Sequence, residues 1–591
     1  MSLSPLRIEP RMSGPPTYSQ VTILRLCIAV SRKPSYLHKL GTEPLSPETT
    51  GQIVDRAAQE WGDRDALVSV HQGHRLSFRK AKEEADKLAA GLLGLGLKTG
   101  DRLGICGPNS SHWYLTFIAA AQAGFVLVNI NPAYQIPELQ YCLTKVGVKA
   151  LIAPESFKTQ RYHEMVCAIA PEVNTCAPGQ IRSKRLPDLS SLIMITDRQL
   201  PGAFRFSDVV ESATPELVST VQQLQSQIQP DDGCNLQFTS GTTGQPKATL
   251  LNHHNTVNNM LIFGKRAELS RKAHRICLQV PFFHCFGNVL GIMASLIYGA
   301  TIVLPGASFK AEESIEAIQK ERCTVVYGTP TMYVDLLAIA KKTKNLNTDT
   351  LDLGMGAGAL FSKELIQDIL QTFKLRRFCV GYGMTETSPL SFLSMPDDTP
   401  EKQTSTVGCI MDHVEAKVVD ANGKMVPFGT PGELLIRGYL NMLGYWDEDG
   451  RTKEILGLDR WVRTGDQFVL QEDGYGQVVG RIKEMIIRGG ENIFPKEIEQ
   501  VLEQHSEILE AQVIGVPDSR LGEEVCACLR LVDGAKLTAD QVKQYCKGKI
   551  AHFKIPRHIR FMADFPKTVS GKIQKFKLQK MVLEEKSLGT G

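Results

Sequence analysis

Short apolar runs, each too brief for a core helix and each followed by a helix-patterned stretch, recur along this chain. That alternation restricts it to parallel α/β layers. Runs at 102–106, 125–130 and 149–152 are separated by helical stretches such as 112–123. A second series follows at 300–304, 324–327, 351–355 and 378–380, with helical segments at 314–322 and 362–373. Doubly wound layers of this kind carry their ligand loops at strand ends. Ahead of the first run, residues 50–101 read as helical, with Ile53, Ala57 and Trp61 at four-residue spacing and Gly100 as the stop.

Turn residues dominate from 420 to 450, including Asp420-Ala421-Asn422-Gly423 and Phe428-Gly429-Thr430-Pro431-Gly432, which predicts a small antiparallel β region. After Gly480 the pattern changes again. Ile498, Val501 and Leu502 share one face of a helix over 496–503, and 511–516, 525–531 and 559–562 read as strands. Thr538 and Gln541 have the spacing of a capping box. At 591 residues the chain exceeds one ordinary core. The fold class is therefore α/β: a large N-terminal domain of layered sheets with a small β region, residues 43–480, and a smaller α+β C-terminal domain, residues 481–591.

The first series leads into Thr239-Ser240-Gly241-Thr242-Thr243-Gly244-Gln245-Pro246-Lys247. Hydroxyls, glycine N–H groups and a mobile cation converge there, as a polyphosphate requires. A solvated turn would use similar residues, but the strand-like 235–238 feeds directly into the loop. A Walker loop is excluded by the spacing Gly241-x-x-Gly244-x-x-Lys247 and by Ala248 after the lysine.

Three further clusters follow. Gly381-Tyr382-Gly383-Met384-Thr385-Glu386-Thr387 offers an aromatic face, a hydroxyl and a carboxylate suited to an adenosine and to Mg²⁺; packing and a helix start are the plainer alternatives. In Trp461-Val462-Arg463-Thr464-Gly465-Asp466, a lone acid after a turn suits ribose hydroxyls, and Arg481 can assist; an ordinary turn and a surface ion pair fit equally. Ser570-Gly571-Lys572 projects a cation from a turn. His284, among Phe282, Phe283 and Phe286, fits a satisfied core histidine.

An apolar fraction of 42% and a charged fraction of 22% exclude disorder and a membrane-spanning class. Residues 1–42 carry Arg7, Arg11, Arg25, Arg32, Lys33 and Lys39 against Glu9 alone, the acid-poor pattern of a mitochondrial transit peptide. The body is then near neutrality, so nothing points to nucleic acid. The apolar stretch 21–30 is too short for a transmembrane helix. Fourteen cysteines without framework spacing fit a reducing compartment, the mitochondrial matrix before the cytosol.

In order and spacing these motifs resemble the acyl-adenylate-forming superfamily over about residues 50–580. Asn131-Pro132-Ala133-Tyr134, Tyr327-Gly328-Thr329-Pro330-Thr331-Met332 and Phe553-Lys554-Ile555-Pro556 look most like its mitochondrial medium-chain acyl-CoA synthetases. The resemblance implies an enzyme, a fatty acid–CoA ligase working through acyl-AMP, with ATP, Mg²⁺ and coenzyme A. It assigns 239–247 to the phosphates, Glu386 to Mg²⁺, Thr385 to the α-phosphate and Lys572 to the acyl and phosphate oxygens. Tyr382 is implied against adenine, Asp466 and Arg481 on the ribose, and Gly356-Ala357-Gly358-Ala359 on the adenine side. Tyr327 to Val334 and the His284 loop are implied around the acyl chain. The C-terminal domain is implied to rotate about Lys483, presenting Gly489 and Gly490 to coenzyme A.

One position departs from the pattern: glycine commonly follows the loop lysine, and here it is Ala248. If that site needs φ > 0 or close packing, alanine strains the loop; if it is extended, the change is harmless. Two alternatives stay open: a catalytically silent nucleotide- or acyl-binding protein, and an adenylating enzyme with another acceptor.

Overall fold

The computed structural model describes residues 33–588 apart from 240–245, 360, 490, 519 and 570. The leader residues 1–32, Ser240 to Gln245 of the loop and Gly490 lie outside the described residues.

Two largely parallel sheets carry the alternation read from the sequence. The eight-stranded sheet runs Ala203–Arg205, Ser191–Ile195, Val148–Pro154, Arg102–Cys106, Val126–Ile130 and Gly233–Thr239, closed by antiparallel Lys247–Asn252 and Gly444–Tyr445. The nine-stranded sheet has a parallel centre of Asp65–Ser69, Thr301–Leu304, Arg275–Leu278, Val325–Gly328, Leu353–Gly356 and Arg377–Gly383. Residues 50–101 are not helical throughout: Asp65–Ser69 and His74–Ser77 form a hairpin between two helices. Asp65–Ser69 pairs with Thr301–Leu304, and no local period shows a partner so far along the chain.

Helices fill the space between the sheets. Ser111–Ala123 buries every residue except His112, so an apolar stretch that would be insoluble on a surface becomes core. Asn109 crosses the layers, donating from Nδ2 to Val280 O at 2.9 Å and accepting from Phe282 N at 2.7 Å. Arg266, also buried, donates to the carbonyls of Cys409 and Ile410 and pairs with Asp412 at 2.7 Å.

A third, antiparallel sheet runs Tyr36–Lys39, Val414–Val419, Gly432–Gly438, Val462–Leu470 and Gly476–Arg481. Its first strand corrects the extent of the expected leader. Tyr36–Lys39 pairs with Val414–Val419, and Ser35 is fully buried, so 34–39 is built into the fold. A removable leader would have to end before these residues. The last sheet, Glu491–Ile493, Ile486–Arg488, Gly522–Leu531, Ile508–Asp518 and His558–Phe561, packs the helices Pro495–Glu503 and Ala539–Cys546. The second of these starts with the expected capping box of Thr538 and Gln541.

A protein beginning at Lys33 should match the full chain in thermal unfolding. One beginning at Glu43 loses roughly four ladder hydrogen bonds at about 1 kcal/mol each and exposes an unpaired edge. Its unfolding midpoint should fall by several degrees, and equal midpoints would show that the strand contributes nothing.

Candidate active site

Four strand ends and two later segments meet at one cleft. Gly233–Thr239 and Lys247–Asn252 pair antiparallel, setting Thr239 opposite Lys247. Ala248 stands opposite Phe238 in extended conformation, fully buried in the core beneath the sheet. It is absent from the positive-φ residues, so alanine costs this loop no backbone strain.

Lys247 leaves the turn with its ammonium 4.8 Å from the centre of the Tyr445 ring. The Tyr445 hydroxyl donates to Glu386 Oε1 at 2.7 Å, and burial together with Glu386 pushes its pKa up, so it remains a donor. The sequence reading missed Tyr445. Nothing around it signals chemistry; it reaches the site because Gly444–Tyr445 pairs with Lys247–Asn252.

Glu386 and Thr385 lie in the short 3₁₀ turn Thr385–Thr387 that follows Arg377–Gly383, and both are buried. Thr385 Oγ1 is 3.7 Å from Cys285 Sγ, which is 3.6 Å from His284 Nδ1. His284 caps the next turn by accepting from Phe286 N at 3.1 Å. An accepting Nδ1 leaves the proton on Nε2. Burial, reinforced by the Lys572 charge, lowers its pKa to about 3, so the ring is neutral at physiological pH. It is a capping residue at the wall of the cleft rather than the core histidine expected.

The third sheet contributes Asp466 and Arg481, paired across adjacent strands. Arg481 Nε lies 2.9 Å from Asp466 Oδ1, and the Tyr382 hydroxyl donates to Oδ2 at 2.7 Å. Asp466 N donates to Thr464 Oγ1 at 3.1 Å, which holds the turn. Burial pushes the Asp466 pKa up and Arg481 pulls against it. Tyr382 packs on Phe468 and Phe392, with ring centres 5.5 and 6.0 Å away.

Lys572 comes from the far end of the chain. Its turn is closed by hydrogen bonds from Thr568 N to Lys572 O and from Lys572 N to Thr568 Oγ1, with Gly571 at φ +79°. The lysine stem passes over Gly358, where a Cβ would lie 3.5 Å from Lys572 Cε. Burial lowers the Lys572 pKa; the cleft charges felt by the ammonium are Arg481, Glu386 and Asp466.

An amide cluster ties the strand Gly233–Thr239 to the segment that follows His284. Gln237 Nε2 donates to Asn288 Oδ1 at 2.9 Å, Asn288 Nδ2 to Asn129 Oδ1 at 3.1 Å, and Asn129 Nδ2 to Asn235 Oδ1 at 2.8 Å. All four are buried, and Asn288 opens a π-helical stretch, Asn288–Met293, that continues the His284 turn. Two expected residues stand apart from the cluster of charges. Lys483 lies in the exposed 3₁₀ turn Ile482–Glu484. Gly489, at φ +59°, turns the hairpin between Ile486–Arg488 and Glu491–Ile493, and its N–H donates to Leu521 O at 2.8 Å.

Known proteins resemble this chain over most of its length. Medium-chain acyl-CoA ligase ACSF2, mitochondrial, of Danio rerio is 46% identical over 557 residues, 94% of this chain and 91% of that protein. The Homo sapiens protein of the same name is 46% identical over 93% of the chain and 90% of its own length. The putative acyl-CoA synthetase YngI of Bacillus subtilis is 37% identical over 91% and 98%. Among solved structures, the anthranilate CoA ligase AuaEII in complex with anthranoyl-AMP superposes with a TM-score of 0.80 at 26% identity, covering 92% of this chain and 99% of that one. ATP-bound MatB from Rhodopseudomonas palustris gives 0.76 at 25%, covering 90% and 98%. Residues 54–446 match the AMP-binding enzyme family and 497–572 match the AMP-binding enzyme C-terminal domain, so the chain belongs to the AMP-binding enzymes.

Proposed function

We propose that this protein is an ATP-dependent ligase that converts a medium-chain fatty acid, through acyl-AMP, to acyl-CoA with release of AMP and pyrophosphate. The observation that carries the reading is Lys572, brought from the end of the chain into the cleft that holds Glu386, Asp466 and Arg481. The names of the relatives at 46% identity support the substrate class and a mitochondrial location. The acid-poor leader supports the matrix.

In the first half-reaction a carboxylate oxygen attacks the α-phosphorus of ATP and pyrophosphate leaves. Carboxylate and triphosphate repel each other, so the step depends on cations and donors aimed where charge develops. The hairpin turn ending at Lys247 takes the β- and γ-phosphates. Asp466, held by Tyr382 and Arg481, keeps free lone pairs for the two ribose hydroxyls. Tyr382 borders the adenine, and Thr385 reaches the α-phosphate. Lys572 bridges the two reacting oxygens and offsets the charge between them.

Among the described residues no three His, Cys, Asp or Glu side chains gather to hold a metal. Glu386, whose Oε1 accepts from the Tyr445 hydroxyl, would hold Mg²⁺, which would supply positive charge against the phosphates. In the second half-reaction the thiol of coenzyme A attacks the acyl carbonyl and AMP departs. We assign the hinge to Lys483, the coenzyme A face to Gly489 and Gly490, and the two bodies to 43–480 and 481–591, with the second moving as a lid. The silent-protein alternative drew on Ala248, and that residue is unstrained.

ATP–pyrophosphate exchange measured from acetate to palmitate should peak at medium chains, and added coenzyme A should convert the intermediate to thioester. No exchange with any acid would overturn the reading; exchange without thioester would move it to another acceptor. Lys572→Ala should lower adenylation by ~10²- to 10³-fold while leaving thioesterification of supplied acyl-AMP largely intact. Equal loss in both steps would refute lid rotation.

The value of kcat/KM for ATP follows ionisation of the free enzyme. Lys572 loses its proton as pH rises through a pKa below the ordinary lysine range, so adenylation should decline there. Lys572→Arg keeps its charge and should move that alkaline limb upward, at a lower plateau. His284 should contribute no limb between about pH 5 and 8.

A further inference from the structure

Thr329 occupies the N-cap of helix Pro330–Lys342, directly after the strand Val325–Gly328. A threonine at an N-cap ordinarily spends its hydroxyl on the second or third N–H of the helix. This one does not: it makes no capping hydrogen bond, and among the described residues the buried Oγ1 has no hydrogen-bond partner. Only 3% of the residue is exposed. A buried hydroxyl left unpaired is costly, and such a group in a cleft calls for a ligand.

The surroundings say which ligand. A Cβ built on Gly571, the residue before Lys572, would lie 3.1 Å from Thr329 Oγ1. A Cβ built on Gly358 would lie 3.5 Å from both Thr329 Cγ2 and Lys572 Cε. Thr329 is therefore wedged between two glycines, its hydroxyl facing Gly571 and its methyl facing Gly358 beside the lysine stem. His284 and Cys285 feel the same Lys572 charge from the other wall. One cation and one orphan hydroxyl thus lie on adjoining residues of this wall, and the neutral imidazole of His284 feels the cation's charge.

We propose that the Thr329 hydroxyl donates a hydrogen bond to the carboxyl group of the fatty acid during adenylation, orienting one carboxylate oxygen while Lys572 neutralises the other. The inference rests on the ligase reading above and adds a substrate contact to it. Hydroxyl and lysine come together only while the C-terminal segment is docked, since Gly571 forms the near wall. The contact is thereby tied to the first half-reaction.

Three proteins test it: wild type, Thr329→Val, which keeps the shape and removes the hydroxyl, and Thr329→Ser. In ATP–pyrophosphate exchange with octanoate, Thr329→Val should raise the KM for octanoate by about 10- to 100-fold, the range for losing a hydrogen bond to a charged group. The KM for ATP should stay at the wild-type value, and Thr329→Ser should return the octanoate KM to within a few-fold. Ligand-free Thr329→Val should melt at or above the wild-type temperature, because it sheds an unsatisfied group. An unchanged octanoate KM, or an equal rise for ATP, overturns the contact. Affinity for a non-hydrolysable octanoyl-AMP sulfamate, measured by calorimetry, separates the two levels. Wild type without exchange overturns the ligase reading, and the contact then stands or falls on whether Thr329→Val binds the sulfamate more weakly.

Discussion

A lysine ammonium in a cleft walled by protein needs negative charge close by, and the site is arranged around that requirement. Lys572, Arg481 and Lys247 approach from three segments far apart in sequence. Against them stand Glu386 and Asp466, and Asp466 is already paired with Arg481 at 2.9 Å. Glu386 and Asp466 act on the Lys572 ammonium from one side and Arg481 from the other. Burial makes the balance consequential, because it lowers the Lys572 pKa and raises that of Asp466.

The scaffold keeps these groups in register by tying loops to layers. The strands Gly233–Thr239 and Lys247–Asn252 are one pair of the eight-stranded sheet, so Lys247 and Tyr445 are brought together by backbone pairing. The buried amides of Asn129, Asn235, Gln237 and Asn288 link that sheet to the π-helical stretch behind His284. Each donates to or accepts from another, so the network is satisfied where an isolated amide would be costly. The hairpin at Lys247 and the turn at His284 are thus joined through one buried network.

Most strands were readable from their apolar runs: 102–106 is a strand to the residue, and 125–130, 300–304 and 324–327 lie within one residue of strands at each end. The capping box at Thr538 was readable because its chemistry spans four residues. The hairpin Asp65–Ser69 and His74–Ser77 was not, since it sits between two helices with strong patterns and its parallel partner is Thr301–Leu304. The edge strand Tyr36–Lys39 was hidden for a similar reason: its basic neighbours look like a leader, and only pairing with Val414–Val419 shows otherwise. Tyr445 carries no local signal at all.

By itself the sequence determined the alternation of strands and helices and the positions of the polar clusters, including Lys572 in a turn. Those follow from side-chain periodicity and turn chemistry, which act over a few residues. Only the tertiary structure decided which sheet each strand joins, that Ala248 is extended, and that Thr329 sets its hydroxyl against Gly571. These depend on burial between segments hundreds of residues apart, where the desolvation of a single polar group is set by neighbours that no local pattern names.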